Sequence, residues 1–281
     1  ALNYPITKGD KIEGFRDVDL IKIPFRDENG VLKSSNQLDA EVFDAVSRNK
    51  DLGRHVVLHT MDQSKLGYQS PSDEFIKKLN TLDNLSIQII VDGSQLRLDP
   101  KDIQNYLNKG YIITITGSKF FTGPPYCGAL ILPKSVNKLI HSAKNTLPKG
   151  LTKYYNHSDW PTSWFCSNEL SDGYNYGSYM RWNAAVVEMD RYYKTPILYR
   201  NMGIEMFCNF VDESIKEASF LQPIYGDETK TKSYSSKEFG IRNIRTIFPF
   251  FIFKDNEVLS VYKVKKMYAL LNSDLSDQFE D

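Results

Sequence analysis

The sequence has no apolar run near the ~20 residues needed to span a bilayer. Its opening stretch, ALNYPITKGD, has no basic region followed by an apolar one, so it does not read as a secretory signal. Net charge is also missing: lysine plus arginine and aspartate plus glutamate number 35 each. A balanced chain gives no electrostatic reason to expect nucleic acid or an anionic membrane as partner. Cysteine is scarce. Cys127, Cys166 and Cys208 lie far apart and form no Cys-x-x-Cys pair. That argues against a disulfide framework or a zinc site and fits a reducing cytoplasm. There is no internal repeat and no low-complexity tract. The first residue is Ala1 rather than methionine, which fits a processed chain or a piece of a longer one.

What remains is an ordinary globular composition. The chain has 281 residues, 41% hydrophobic and 25% charged, enough for one large core or two unequal domains. Short apolar runs alternate with amphipathic stretches. His55 to Met61 (HVVLHTM), Leu85 to Val91 (LSIQIIV), Tyr111 to Ile115 (YIITI) and Cys127 to Leu132 (CGALIL) read as strands, the last ended by Pro133. Between them, Ser72 to Asn80 reads as a helix with Ser72 as N-cap. Asp99 to Asn108 reads as a second helix, with Pro100 at its first position and Gly110 just past its end. Strand–helix alternation implies βαβ units and a mostly parallel sheet. Leu147 to Gly177 is aromatic, polar and aperiodic, and long loops of that kind tend to be functional. Ser178 to about Glu217 is helical again, Gly226 to Gly240 reads as an exposed connection, and Ile244 to Phe253 as a strand interrupted by Pro249. Val261 to Asn272 reads as a last helix.

In parallel sheets, ligands bind at the carboxyl ends of the strands. Three such ends carry chemistry here: Asp62-Gln63-Ser64-Lys65-Leu66-Gly67, then Asp92-Gly93-Ser94-Gln95, then Thr116-Gly117-Ser118-Lys119 with Gly123-Pro124-Pro125 beyond. One helix and one strand separate Asp92 from Lys119, so both side chains should project into one crevice. A lysine amine, a carboxylate and small hydroxyls together suit pyridoxal phosphate. The amine forms a Schiff base with the aldehyde, and the carboxylate keeps the pyridine nitrogen protonated. Thr116 and Ser118 can donate to the phosphate, and Gln95 can reach the ring hydroxyl. Each has a plainer reading: Lys119 as a surface lysine, Asp92 as a helix cap, Thr116 and Ser118 as turn caps. The segment does not match the Gly-x4-Gly-Lys-Ser/Thr phosphate loop, which removes a nucleotide triphosphatase.

The stretch VDGSQLRLDPKDIQNYLNKGYIITITGSKFFTGPPYCGALILP resembles the core of the class V aminotransferase-like group of fold type I pyridoxal-phosphate enzymes, relatives of cysteine desulfurases and kynureninases. Asp92 and Gln95 match the group's Asp-x-x-Gln. Thr116-Gly117-Ser118-Lys119, then Gly123-Pro124, matches its Ser-x-His-Lys and Gly-Pro, with Thr for Ser, Ser for His and two extra residues before Gly-Pro. Ser64-Lys65-Leu66-Gly67 resembles an Asn-x-Thr-Gly turn, which would put Ser64 near the ring hydroxyl. Tyr176-Gly177-Ser178 resembles a Gly-Thr that reaches the phosphate of the partner subunit, which implicates Ser178. The resemblance covers His55 to Pro133 well and Leu147 to Val187 poorly.

The resemblance implies an α/β large domain over residues 1–217, with N-terminal elements missing, and part of a small C-terminal α+β domain over 218–281. It implies pyridoxal 5'-phosphate as cofactor, a homodimer in the full-length form, no metal, and an amino acid or amine as substrate. Transamination is the leading outcome, with C–S or C–C lysis as the alternative. The rivals are a non-catalytic scaffold that keeps the motif and a doubly wound domain for another phosphorylated ligand. Of the remaining residues, His59 is expected in the core, the three tryptophans in packing, and Arg181 in either a structural ion pair or a contact with a substrate carboxylate.

Overall fold

The computed structural model describes residues 13–14, 18–81, 87–143, 146–224, 241 and 245–274. They form two compact bodies. The first holds the described residues up to Gln63 together with Gln69–Tyr192. The second holds Ser64–Tyr68 and the described residues from Tyr193 onward.

The first body is built on four strands in the order β1-β2-β3-β4: β1 (Val56–Met61), β2 (Ile87–Gly93), β3 (Ile112–Thr116) and β4 (Gly128–Ile131). β1, β2 and β3 are parallel and β4 runs antiparallel to β3. The reversal follows from the connection. Helices α2 (Asp73–Thr81) and α3 (Pro100–Asn108) carry the chain back between the parallel strands, whereas no helix lies between β3 and β4. The architecture is therefore α/β with a mostly parallel sheet and flanking helices, as the strand–helix alternation implies.

Strand alternation gives the sheet two unlike faces. Ile89, Val91 and Ile113 point to one face and are buried, with Ile113 at 0% exposure. Against them pack Ile76 of α2 and Tyr106 of α3. A second cluster joins Val42 and Val46 of α1 (Ser35–Asp51) to Phe75 and Leu79 of α2, over Val56 and Leu58. The opposite face carries Val57, His59, Asp92, Thr114 and Leu130 in alternate positions. It is far less covered, and Val57, His59 and Leu130 are exposed. His59 is thus not a core histidine: the strand is apolar, but its parity puts residue 59 on the uncovered side.

Local signals decide the helix ends. The Ser72 hydroxyl accepts from the Phe75 N–H at 3.1 Å, as its N-cap role requires, and its own N–H donates to Asp39 Oδ1 at 2.8 Å. The Asp99 N–H donates to Asp102 Oδ2 at 3.0 Å in the first turn of α3. α1 opens with a reciprocal capping box between Ser34 and Gln37. After β4 come α4 (Lys134–Ser142), three short 3-10 turns between Lys149 and Glu169, and α5 (Tyr176–Lys194). Trp164 is buried, lies edge-to-face on Trp160 and donates its indole N–H to Asn137 Oδ1 at 2.9 Å.

The second body contains α6 (Ile197–Glu217), an antiparallel sheet of β5 (Leu221–Pro223), β6 (Phe250–Lys254) and β7 (Glu257–Val258), and α7 (Val261–Leu271). β6 starts just past Pro249, which supplies no N–H to a ladder. The expected connection over 226–240 lies outside the described residues. No helix among the described residues is long and apolar enough to cross a membrane.

Candidate functional site

The register sets Met61, Asp92 and Thr114 abreast near the carboxyl ends of β1, β2 and β3. Asp92 is half-buried on the face away from the core. Its Oδ1 accepts the Ser94 N–H at 3.0 Å and the Ser94 hydroxyl. Its Oδ2 accepts no hydrogen bond among the described residues. The turn after Asp92 is closed by the Leu96 N–H donating to the Gly93 carbonyl at 2.8 Å. Leu96 holds a left-handed φ of 49° with its side chain buried, so packing keeps a backbone conformation that leucine alone disfavours.

The next strand end is tied to this turn. The Thr116 hydroxyl donates to the Ser94 carbonyl at 2.8 Å. The chain then makes a tight loop. The Gly117 N–H donates to the Cys127 carbonyl at 2.9 Å, the Gly123 N–H to the Gly117 carbonyl at 2.9 Å, and the Thr122 N–H to the Lys119 carbonyl at 3.0 Å. The loop closes against α5. A Cβ on Gly117 would lie 2.5 Å from the Ala185 Cβ, and one on Gly123 would lie 2.8 Å from the same atom. Only glycine allows backbone and helix so close. Trp182, three residues before Ala185 on α5, donates its indole N–H to the Gly128 carbonyl at 3.3 Å.

Lys119 projects from this braced loop. Its side chain is exposed and its Nζ makes no hydrogen bond or ion pair among the described residues. Ser118 is half-buried, and its hydroxyl likewise has no hydrogen-bond partner among them. The Thr116 proton, by contrast, is already given to Ser94, so that hydroxyl could donate to a ligand only after turning away from the carbonyl.

Gln95 is held from one side. Its Oε1 accepts from Arg97 Nη1 at 2.8 Å, and its Nε2 makes no hydrogen bond among the described residues. The Arg97 guanidinium lies over the Phe120 ring at 5.5 Å, next to Lys119. Phe120, Phe121 and Tyr192 pack edge-to-face at 5.1 to 5.5 Å. The sequence reading passes over Arg97; the only signal for it was a charged residue two positions beyond Gln95. It also leaves Asp62 without a role. Asp62 is buried at 4% exposure and its Oδ1 accepts the Tyr106 hydroxyl at 2.9 Å.

Two further expected site residues, Ser178 and Ser64, have local hydrogen bonds of their own. Ser178 lies in the first turn of α5, where its N–H donates to Asn175 Oδ1 at 3.0 Å. Ser64 belongs to the second body, and its hydroxyl accepts the N–H groups of Leu66 at 3.2 Å and Tyr68 at 3.0 Å. It works there as a turn cap. Arg181 folds over Gly177 and makes no ion pair among the described residues. The first body thus brings Asp92, Gln95, Thr116, Ser118 and Lys119 to the carboxyl ends of two adjacent strands. They offer an amine, a carboxylate oxygen, a carboxamide N–H pair and a hydroxyl.

No family model matches the sequence, and no curated protein sequence matches it. Among solved structures, tryptophan decarboxylase of Catharanthus roseus in complex with L-tryptophan superposes with a TM-score of 0.48 at 16% identity, over 87% of this chain and 49% of that one. Mouse CSAD in apo form superposes with a TM-score of 0.44 at 13% identity, over 71% of this chain and 40% of that one. The chain spans half or less of the length of each. Likenesses this loose leave the functional reading to the residues themselves.

Proposed function

We propose that the first body is the cofactor-binding part of a pyridoxal-phosphate enzyme acting on an amino acid or amine, with Lys119 as the Schiff-base lysine. The observation that carries this reading is the pairing of a lysine amine lacking any hydrogen bond or ion pair among the described residues with a rigid loop fastened beside the Asp92 turn. A surface lysine would need no such bracing. When bound, pyridoxal phosphate supplies an aldehyde that takes up amines and a protonated ring that withdraws electrons from bonds at the substrate Cα.

The residues present fit that group. Asp92 has one oxygen fixed by Ser94 and the other available to hold a pyridinium proton. Gln95 and Ser118 have donors left over for oxygen atoms of the ring and the phosphate. Lys119, once released by the substrate amine, would take the proton from the substrate Cα and return it two bonds away, to the carbon on the far side of the substrate nitrogen; hydrolysis would then complete a transamination. Lysis of a C–S or C–C bond by the same residues is the alternative outcome. Thr116 fits less well as a phosphate donor, because the Ser94 carbonyl already takes its proton.

The test is spectroscopic. The chain, and any longer natural form, is mixed with pyridoxal phosphate, scanned for a visible band, reduced with borohydride, and the labelled peptide mapped. A band removed by borohydride and a label on Lys119 support the assignment. A label on another lysine, with Lys119 clean, overturns it.

A further inference from the structure

We infer that Arg97 is a positioning residue that fixes the polarity of the Gln95 carboxamide, so that Gln95 can only donate to whatever binds beside Asp92 and Lys119. The inference rests on the pyridoxal-phosphate reading and deepens it: the ring oxygen that Gln95 meets would be held in its ionised form.

A glutamine side chain is ambiguous, since either end of the amide can face a ligand. Here the ambiguity is removed. A guanidinium has donors and no acceptor, so the atom facing Arg97 Nη1 at 2.8 Å must be Gln95 Oε1. Both hydrogens on Nε2 are then left for a ligand, and no described residue takes them. The guanidinium itself lies over the Phe120 ring at 5.5 Å, and Phe120 packs edge-to-face on Phe121 and Tyr192. Turning the amide over would set the Nε2 hydrogens against those of the guanidinium. Arg97 thus links the Asp92 turn to the Lys119 loop while setting the direction of one hydrogen bond. A ligand atom that meets Gln95 must accept, and an anionic oxygen accepts best. On the cofactor, an ionised ring oxygen answers that description.

The experiment follows the visible band of the pyridoxal-phosphate-loaded chain against pH. Gln95→Glu keeps the partner of Arg97 but replaces the donor with a carboxylate. Arg97→Met frees the amide to turn. Phe120→Leu removes the ring under the guanidinium and no polar group, and serves where Arg97→Met does not fold, as judged by circular dichroism. Gln95→Glu is expected to raise the pH midpoint of the band by about one unit, the size of a lost hydrogen bond to a charged oxygen, and Arg97→Met, which leaves the amide able to present either end, to raise it by part of that. Phe120→Leu should move it the same way by less. A midpoint that shifts in Gln95→Glu but stays put in Arg97→Met and Phe120→Leu overturns the role of Arg97. A band present with no shift in any variant overturns the inference while leaving the cofactor reading intact. No borohydride-sensitive band in the unaltered chain removes the cofactor reading and this inference with it.

Discussion

A Cβ on Gly117 would come within 2.5 Å of the Ala185 Cβ, so the loop that carries Lys119 and helix α5 meet with no room for a methyl group. Ala185 is itself fully buried, and the Cys127 Sγ lies 2.8 Å from the same point. Neither neighbour is the mobile end of a long side chain.

Gly117→Ala is therefore expected to destabilise the chain by about 1–3 kcal/mol, the usual cost of overpacking. Ala185→Gly alone should cost about 1 kcal/mol through helix propensity. Combined, the two changes should cost less than their sum, because the smaller residue on α5 relieves the clash. Recovery should be partial, since Cys127 remains in the way. Urea midpoints of the three variants decide it; strict additivity would mean that the loop does not bear on Ala185.

Lys119→Arg tests the lysine without disturbing the loop. The side chain is exposed and has no partner among the described residues, so stability should change by no more than about 0.5 kcal/mol. Arginine keeps the charge yet cannot form the Schiff base. The visible band should vanish entirely while the thermal midpoint holds. A surviving band in Lys119→Arg would move the assignment to another amine.

Asp92→Asn should cost more rate than affinity. Asparagine keeps the shape and can keep a contact with Ser94, but it cannot balance a protonated ring nitrogen. The rate at which a panel of amino acids bleaches the band should fall at least tenfold, about 1.4 kcal/mol on the transition-state scale, with cofactor affinity falling less. Ser94→Ala should give a milder loss in the same direction, because it releases one of the bonds that aim the carboxylate. A rate within about threefold of the unaltered chain, roughly 0.6 kcal/mol, would show that Asp92 is not the ring partner.

Much of the first body was legible because its signals are local. Ser72, Pro100 and Gly110 mark helix ends with no help from the tertiary fold, and the strand cores stand out as apolar runs. α1 carries a local signal of the same kind, the Ser34-x-x-Gln37 capping box. So does the Asp255-Asn256 turn, where both residues hold positive φ and close the β6–β7 hairpin. The exposure of His59 depends on which face of the sheet is covered, which no window of sequence reports. The site shows the same division. Its residue types follow from motif spacing, but the hydrogen bond that commits Thr116 to Ser94 arises only when two strand ends are brought side by side, and the one between Gln95 and Arg97, though local, depends on how the turn after β2 folds.

Tyr106→Phe removes one hydrogen bond from the buried Asp62 carboxylate. Such a bond to a charged group contributes about 1.5–3 kcal/mol. The loss should appear in the urea midpoint. Because the Asp62 N–H donates to the Asp92 carbonyl at 3.2 Å, cofactor affinity should weaken modestly as well. An unchanged midpoint would show that the pair contributes nothing net.

Thr116→Val and Ser118→Ala separate two hydroxyls that sequence alone treats alike. The Thr116 hydroxyl spends its proton on the Ser94 carbonyl at 2.8 Å. Valine keeps the shape and leaves that carbonyl without its donor, so stability should fall by about 1 kcal/mol. Affinity for inorganic phosphate or for pyridoxal phosphate should hardly change. The Ser118 hydroxyl gives its proton to no described residue, so Ser118→Ala should leave stability within about 0.5 kcal/mol. If Ser118 donates to the phosphate, the dissociation constant should rise about tenfold or more, the weight of one charge-assisted hydrogen bond. The two variants should thus fall on different axes, one in urea and one in ligand titration. If Thr116→Val weakens binding and leaves stability untouched, the hydroxyl turns to the ligand and the tie to Ser94 is incidental.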